Sequence, residues 1–207
     1  MCGTHADVLV FFGATGDLAY RKIFLALQGL DRRGRLDIPV IGVAKAGWRL
    51  EQFTARARES LEMHGGGVDP DAGEKLFRLL RYVDGDYKDA ATLEALKREL
   101  GSARRPAFYL AIPPSLFEVV ASQLGAIGAA QGGRVIVEKP FGRDLGSARE
   151  LNGILRRFFD EPAIHRIDHF IGKEPVWNRQ YVESVQITMA EAFGVQGRGG
   201  YYEEAGA

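Results

Sequence analysis

Short, unbroken apolar runs alternate along this chain with longer segments whose apolar residues recur every three or four positions. Val8-Leu9-Val10-Phe11-Phe12 is apolar throughout and ends at Gly13, the pattern of a parallel strand buried on both faces. Ile23, Phe24, Leu27 and Leu30 then fall at helical spacing, with Gly34 as a stop. A second strand is predicted over Pro39-Val40-Ile41-Gly42-Val43, and a helix on Phe53, Ala57 and Leu61 breaks at Gly65-Gly66-Gly67. Leu76, Phe77 and Leu80 mark another helical face, after which Arg81-Tyr82-Val83 reads as an edge strand.

The second half repeats the alternation. Leu93, Leu96 and Leu100 predict a helix, and Phe108-Tyr109-Leu110-Ala111-Ile112 a buried strand that ends at Pro113-Pro114. Ser115-Leu116-Phe117-Glu118 has the form of a capping box at a helix start. Val135-Ile136-Val137 is a further strand, followed by a helix carrying Leu151, Ile154, Leu155 and Phe158. This order predicts an α/β fold: a Rossmann-like, doubly wound, mostly parallel sheet. Beyond Pro175 the pattern changes, since Val185, Ile187 and Met189 alternate with Gln186, Thr188 and Ala190 as in a strand with one buried face. The expected division is a nucleotide-binding domain over residues 1–175 and the start of an incomplete α+β domain over 176–207.

Composition narrows the function classes. With 207 residues and 46% hydrophobic content, the chain can bury one sizeable core. Lys+Arg and Asp+Glu are equal at 27 each, so no global field favours nucleic acid or an anionic membrane, and anion binding has to be local. Cys2 is the single cysteine, which excludes an internal disulfide framework and a cysteine-rich zinc site; no metal is expected. Val8 to Phe12 is too short to span a bilayer, and no basic region precedes a long apolar run, so the expectation is a cytoplasmic protein.

Four places carry chemistry. Gly13, Gly16 and Ala19 sit at a dinucleotide-binding spacing between a strand and a helix, where small residues let backbone amides approach a pyrophosphate. At the end of the second strand, Val43-Ala44-Lys45 places a cation where an acidic residue would favour an unmodified ribose. Lys45 is either a 2′-phosphate ligand, favouring NADP, or a solvated surface lysine. Glu138-Lys139-Pro140-Phe141-Gly142 follows a buried strand at its carboxyl end, where open α/β sheets bind ligands. Finally, Arg166-Ile167-Asp168-His169-Phe170-Ile171-Gly172-Lys173-Glu174 sets a carboxylate beside an imidazole, with an ammonium four residues on. Histidine and lysine together can grip a phosphate ester.

These motifs, with Gly13-Ala14-Thr15-Gly16-Asp17-Leu18-Ala19, resemble the glucose-6-phosphate dehydrogenase family along the chain from Val8 to Ala207. The resemblance implies hydride transfer from C1 of glucose 6-phosphate to NADP in the pentose phosphate pathway. It implies that Gly13, Thr15, Gly16, Asp17 and Leu18 form the cofactor loop and that Lys22 faces the cleft; Tyr20 and Arg21 read as the solvated side of the first helical turn. Asp86, Tyr87, Pro113 and Glu138 match positions along the cofactor site, and Lys139 would contact both cofactor and sugar phosphate. His169 and Lys173 would bind the substrate phosphate, Glu191 the sugar hydroxyls, and Asp168 would orient a separate histidine base. His5, His64 and His165 read as structural or solvent-exposed.

Two departures from the family pattern stand out. A helix-length segment between Val176 and Trp177 is missing, and the chain ends at Ala207, before the segment that supplies the catalytic histidine. An NADP-binding fragment without turnover is therefore one alternative. A glucose-fructose-type oxidoreductase is another, since that family carries the same Glu-Lys-Pro tripeptide after a Rossmann fold. The family is usually homo-oligomeric.

Overall fold

The computed structural model describes residues 5–139, 141–142 and 144–167. Six strands form one sheet: β1 (Val8–Phe12), β2 (Val40–Ala44), β3 (Leu80–Asp84), β4 (Pro106–Leu110), β5 (Arg134–Glu138) and β6 (Ile164–Ile167). Their spatial order is β3-β2-β1-β4-β5-β6. All five pairings are parallel, in a register that sets Phe11 beside Gly42 on one side and Tyr109 on the other. The chain turns back to the middle of the sheet between β3 and β4, so strand order reverses across the β1–β4 boundary. This is the doubly wound order of the Rossmann fold, and its ligand crevice lies outside the carboxyl ends of the strands at that reversal.

Helices α1 (Phe24–Arg32), α2 (Leu50–His64), α3 (Ala72–Leu79), α4 (Ala90–Leu100), α5 (Phe117–Ala126) and α6 (Leu145–Arg156) connect the strands. The unbroken apolar run of β1 serves two cores. Phe11 packs with Phe24, Phe53, Leu61 and Leu76, whereas Val10 and Phe12 join Phe108, Phe117 and Val137 in a second cluster. Successive strand side chains point to opposite faces, so a strand covered on both must be apolar at every position. Phe53 anchors the first core: its ring lies 5.5 Å from that of Phe24 and stacks on Tyr82 at 4.8 Å. Truncating it to alanine would cost about 3 to 5 kcal/mol.

Several local expectations are corrected. Leu80 belongs to β3, not to the preceding helical face; its backbone is extended and it pairs with Val40. Burial of Leu80 is needed in either state, so periodicity could not separate them. β4 runs from Pro106 to Leu110, two residues earlier than the apolar run predicts, although the Ala111 amide still donates to the Phe12 carbonyl at 3.2 Å. The capping box at Ser115 does not form. Pro114 opens a 3₁₀ turn through Leu116, helix α5 begins at Phe117 with no side-chain cap, and Glu118 instead pairs with Arg157 at 2.6 Å. A capping box occurs at α6, where the Ser147 amide donates to Asp144 Oδ1 at 2.8 Å and the Asp144 amide to Ser147 Oγ at 3.0 Å. The strand expected around Val185, and with it the second domain, lies outside the described residues.

Candidate functional site

The turn after β1 is built so that only glycine fits its first position. Gly13 has φ of +79°, and a Cβ there would lie 2.1 Å from the Ala111 carbonyl oxygen. The backbones leaving β1 and β4 therefore touch where strand order reverses. The Gly13 amide donates to the Val43 carbonyl and to the Tyr87 hydroxyl, both at 3.0 Å, and the Gly16 amide to the Gly13 carbonyl at 2.9 Å. Ala19, at the third position of the glycine spacing, is fully buried. Between these anchors Thr15 is half-buried, Gly16 and Asp17 are exposed, and Leu18 lies on the rim of the adjoining cleft. A π-turn at Ala19–Ile23 follows, leading into α1. The first amides of a helical segment lack an internal acceptor, so Asp17 and Leu18 can offer donors to an anion, whereas the Gly16 amide is taken by the Gly13 carbonyl.

In the turn that follows, Arg21 is exposed as expected and Tyr20 is not. Arg21 pairs with Asp17 at 2.8 Å on the surface. Tyr20 is half-buried under the Arg56 guanidinium, 3.5 Å from its ring centroid, and edge-on to His64, so it is a packing residue and not part of a solvated face. Lys22 is exposed and does not line the cleft described below.

A second group gathers at the ends of β2 and β3. Lys45, the residue after β2, is exposed and pairs with Asp86 at 3.0 Å; that hydrogen bond raises the lysine pKa. Asp86 also accepts from the Lys88 amide at 3.0 Å, and the amide and Lys45 together hold its carboxyl below the usual range. Asp84, which the sequence reading passed over, organises the loop. Its Oδ1 accepts from the amides of Ala46, Gly47 and Trp48 at 3.0, 2.8 and 3.2 Å and from the Tyr82 hydroxyl at 2.9 Å. Burial pushes the Asp84 carboxyl up, but these donors outweigh it and the net shift is downward. Tyr82 is raised in turn, first by burial and then by Asp84. A carboxylate closing an edge strand and followed by glycine is the available signal for Asp84. Tyr87 braces the glycine turn from below: it accepts from Gly13, its ring lies edge-on to Phe12 at 5.6 Å, and burial raises its pKa.

The third group borders a cleft of about 720 Å³ at the carboxyl ends of β4 and β5, between α5 and α6. Leu18 from the glycine loop, Ala111, Pro113, Glu138, Lys139 and Glu150 contribute to its wall. Sequence reading missed the partner of Glu138. The Tyr109 hydroxyl donates to Glu138 Oε1, and burial followed by this carboxylate raises the phenol pKa. This bond ties the strand end that carries Lys139 to β4. The structure thus brings Leu18, Pro113, Glu138 and Lys139 to one cleft and Lys45, Asp86 and Tyr87 to the neighbouring end of the sheet, with the Gly13 turn between. Asp168, His169, Lys173 and Glu191 lie outside the described residues.

Strand order, the glycine turn at the reversal and the cleft beside it define a Rossmann-type nucleotide-binding domain. Residues 10–178 match the family model described as glucose-6-phosphate dehydrogenase, NAD binding domain, and residues 171–207 match that of the C-terminal domain. The chain belongs to the glucose-6-phosphate dehydrogenase family. It is 40% identical to glucose-6-phosphate 1-dehydrogenase 1 of Mycobacterium tuberculosis (strain ATCC 25618 / H37Rv) over 221 aligned positions, covering 99% of this chain and 47% of that protein. The crystal structure of the Mycobacterium avium enzyme superimposes with a TM-score of 0.82 at 39% identity, covering 98% of this chain and 49% of the other. A glucose-6-phosphate dehydrogenase solved in complex with glucose 6-phosphate gives 0.78 at 34% identity, covering 97% and 48%. The chain spans about half the length of the curated relatives it matches.

Proposed function

We propose that this chain carries the cofactor-binding half of an enzyme that oxidises glucose 6-phosphate at C1 with NADP, giving the lactone and NADPH. The observation that carries the proposal is the placement of the Gly13 turn and Lys139 around one crevice, at the reversal of strand order, in a chain of this family. The residues present fit a dinucleotide: the turn admits no Cβ at Gly13, and the loop after it opens a helical segment whose first amides are available to a pyrophosphate.

In this reading Gly13, Thr15, Gly16, Asp17 and Leu18 cradle the pyrophosphate. Lys45 meets the 2′-phosphate, Asp86 and Tyr87 border the adenine end, and Pro113 and Glu138 border the nicotinamide end. Lys139 sits between cofactor and substrate, and Tyr109 holds the neighbouring Glu138 in place. His169 and Lys173 grip the sugar phosphate and Glu191 the sugar hydroxyls. The proton of the C1 hydroxyl requires a base near neutral pKa, and Asp168 is the carboxylate placed in sequence to orient a histidine in that role. NADP, when bound, supplies the acceptor for the hydride that leaves C1. We place the cofactor domain at residues 1–175 and the start of the substrate domain at 176–207.

The test is an NADP titration of the 207-residue chain, followed in the same sample by glucose 6-phosphate and absorbance of NADPH. The proposal expects saturable NADP binding; reduction that depends on the sugar phosphate would extend the reading from the cofactor-binding half to the whole reaction. Lys139→Met should lower that reduction about 100-fold or more through lost positioning. Failure to bind NADP would contradict the proposal, binding without reduction would limit it to the cofactor half, and equal turnover of unphosphorylated glucose would favour the glucose-fructose type.

A further inference from the structure

Lys45, directly after β2, is a cation that recognition of a 2′-phosphate by the β2–α2 loop would draw on, and the protein already supplies it with an anion. Asp86 Oδ2 lies 3.0 Å from Lys45 Nζ. Its other oxygen accepts from the Lys88 amide at 3.0 Å, which holds the carboxylate against the loop after β3. The two side chains differ in freedom: that of Lys45 is 72% exposed and that of Asp86 only 32%. A long, flexible ammonium can swing to a new anion, but a short carboxylate still anchored by the Lys88 amide stays where it is. The backbone of the same loop offers little else, because the amides of Ala46, Gly47 and Trp48 all point at Asp84 Oδ1. A 2′-phosphate arriving here must compete with Asp86 for Lys45 and then sit beside a second negative charge. An unmodified ribose meets no such cost, and a carboxylate at this end of the sheet can accept from its hydroxyls.

We propose that Asp86 sets how strongly this chain distinguishes a 2′-phosphorylated adenosine ribose from an unphosphorylated one, acting as an internal competitor for Lys45. The proposal rests on the reading of this end of the sheet as the adenosine side of a dinucleotide site. It makes Asp86 a specificity-determining residue that works through the lysine, and it expects the wild-type chain to bind NADP and NAD with a modest ratio between them.

The test is a double-mutant cycle on the 207-residue chain, with NADP and NAD titrated separately by calorimetry and a thermal melt confirming that each variant is folded. Asp86→Asn keeps an acceptor for the Lys88 amide and removes the charge. It should raise the ratio of NADP to NAD affinity roughly fivefold at low salt, the scale of a single exposed ion pair. Added salt should shrink that gain, and in a Lys45→Met background it should fall to the smaller share left by direct repulsion between Asp86 and the phosphate. A merely structural role for Asp86 would move both affinities together and would not depend on Lys45. An unchanged ratio in Asp86→Asn, or the same gain with and without Lys45, overturns the proposal. If the wild-type chain binds neither dinucleotide, the nucleotide-site reading itself fails, and this inference with it.

Discussion

The two ends of the crevice are built in opposite ways. At the ends of β2 and β3, Asp84, Asp86, Tyr82 and Lys45 form a closed set of hydrogen bonds and an ion pair, and three successive amides converge on one carboxylate oxygen. At the ends of β4 and β5, a cleft of about 720 Å³ stands open between two helices, with Lys139 and Glu138 at its edge. One end is organised by the protein's own groups, and the other leaves room for a ligand. A rigid end suits discrimination between similar ligands, because a ligand must displace specific contacts. An open end suits the reacting partners, which have to enter and leave. The Gly13 turn joins the two, tied to β2 through Val43 and pressed against β4 at Ala111.

The most drastic way to break the comparison is at that junction. Gly13→Val places a side chain against the Ala111 carbonyl at a φ of +79° and should destabilise the fold by about 2 to 4 kcal/mol, read as a lower denaturation midpoint. NADP binding should fall with it even under conditions where the variant stays folded. If Gly13→Val melts like wild type, the two ends are not coupled through this turn.

A smaller effect is expected at the closed end. Asp84→Ala frees three loop amides and should cost about 1 kcal/mol, with little change in the cleft. Its pH dependence has a definite sign. The folded-state pKa of Asp84 lies below its unfolded value, so the contribution is fully present above the unfolded pKa of about 3.9 and is lost as pH falls through the folded value. Melts of wild type and Asp84→Ala should differ at pH 7 and converge in acid. A difference that persists unchanged at low pH would show that the carboxylate charge is not what holds the loop.

At the open end the smallest effect is expected from Glu118, which borders the cleft and pairs with Arg157, both side chains being more than half exposed. Glu118→Ala should change stability by less than about 0.5 kcal/mol. A loss near 1 kcal/mol would instead favour the helix cap that the sequence Ser115-Leu116-Phe117-Glu118 suggests.

The contrast between the two ends was only half readable from the chain. Parallel strands buried on both faces leave unbroken apolar runs, so β1, β2, β4 and β5 were each found, and with them the glycine turn and Lys139 at strand ends. The same periodic reading could not tell that Leu80 is a strand residue, since it is buried in either state. It mistook a proline-initiated 3₁₀ turn for a capping box, because the box depends on backbone angles that Pro114 redirects. Lys45, Asp86 and Tyr87 were picked out, but not that the lysine is held by the aspartate 41 residues on or that Tyr87 braces Gly13. Such contacts are set by the register of β1, β2 and β3, which local patterns do not encode. Asp84 and the Tyr109–Glu138 bond were missed for the same reason.

The central claim is that a dinucleotide seats across the Gly13 turn and spans both ends. Hydrogen exchange read by mass spectrometry, with and without saturating NADP, tests it most directly. Protection is expected in peptides covering residues 13–18, 45–48, 84–88 and 110–114, and little change in α2 or in the exposed face of α4. Protection confined to other segments, or none at saturating NADP, would contradict the account.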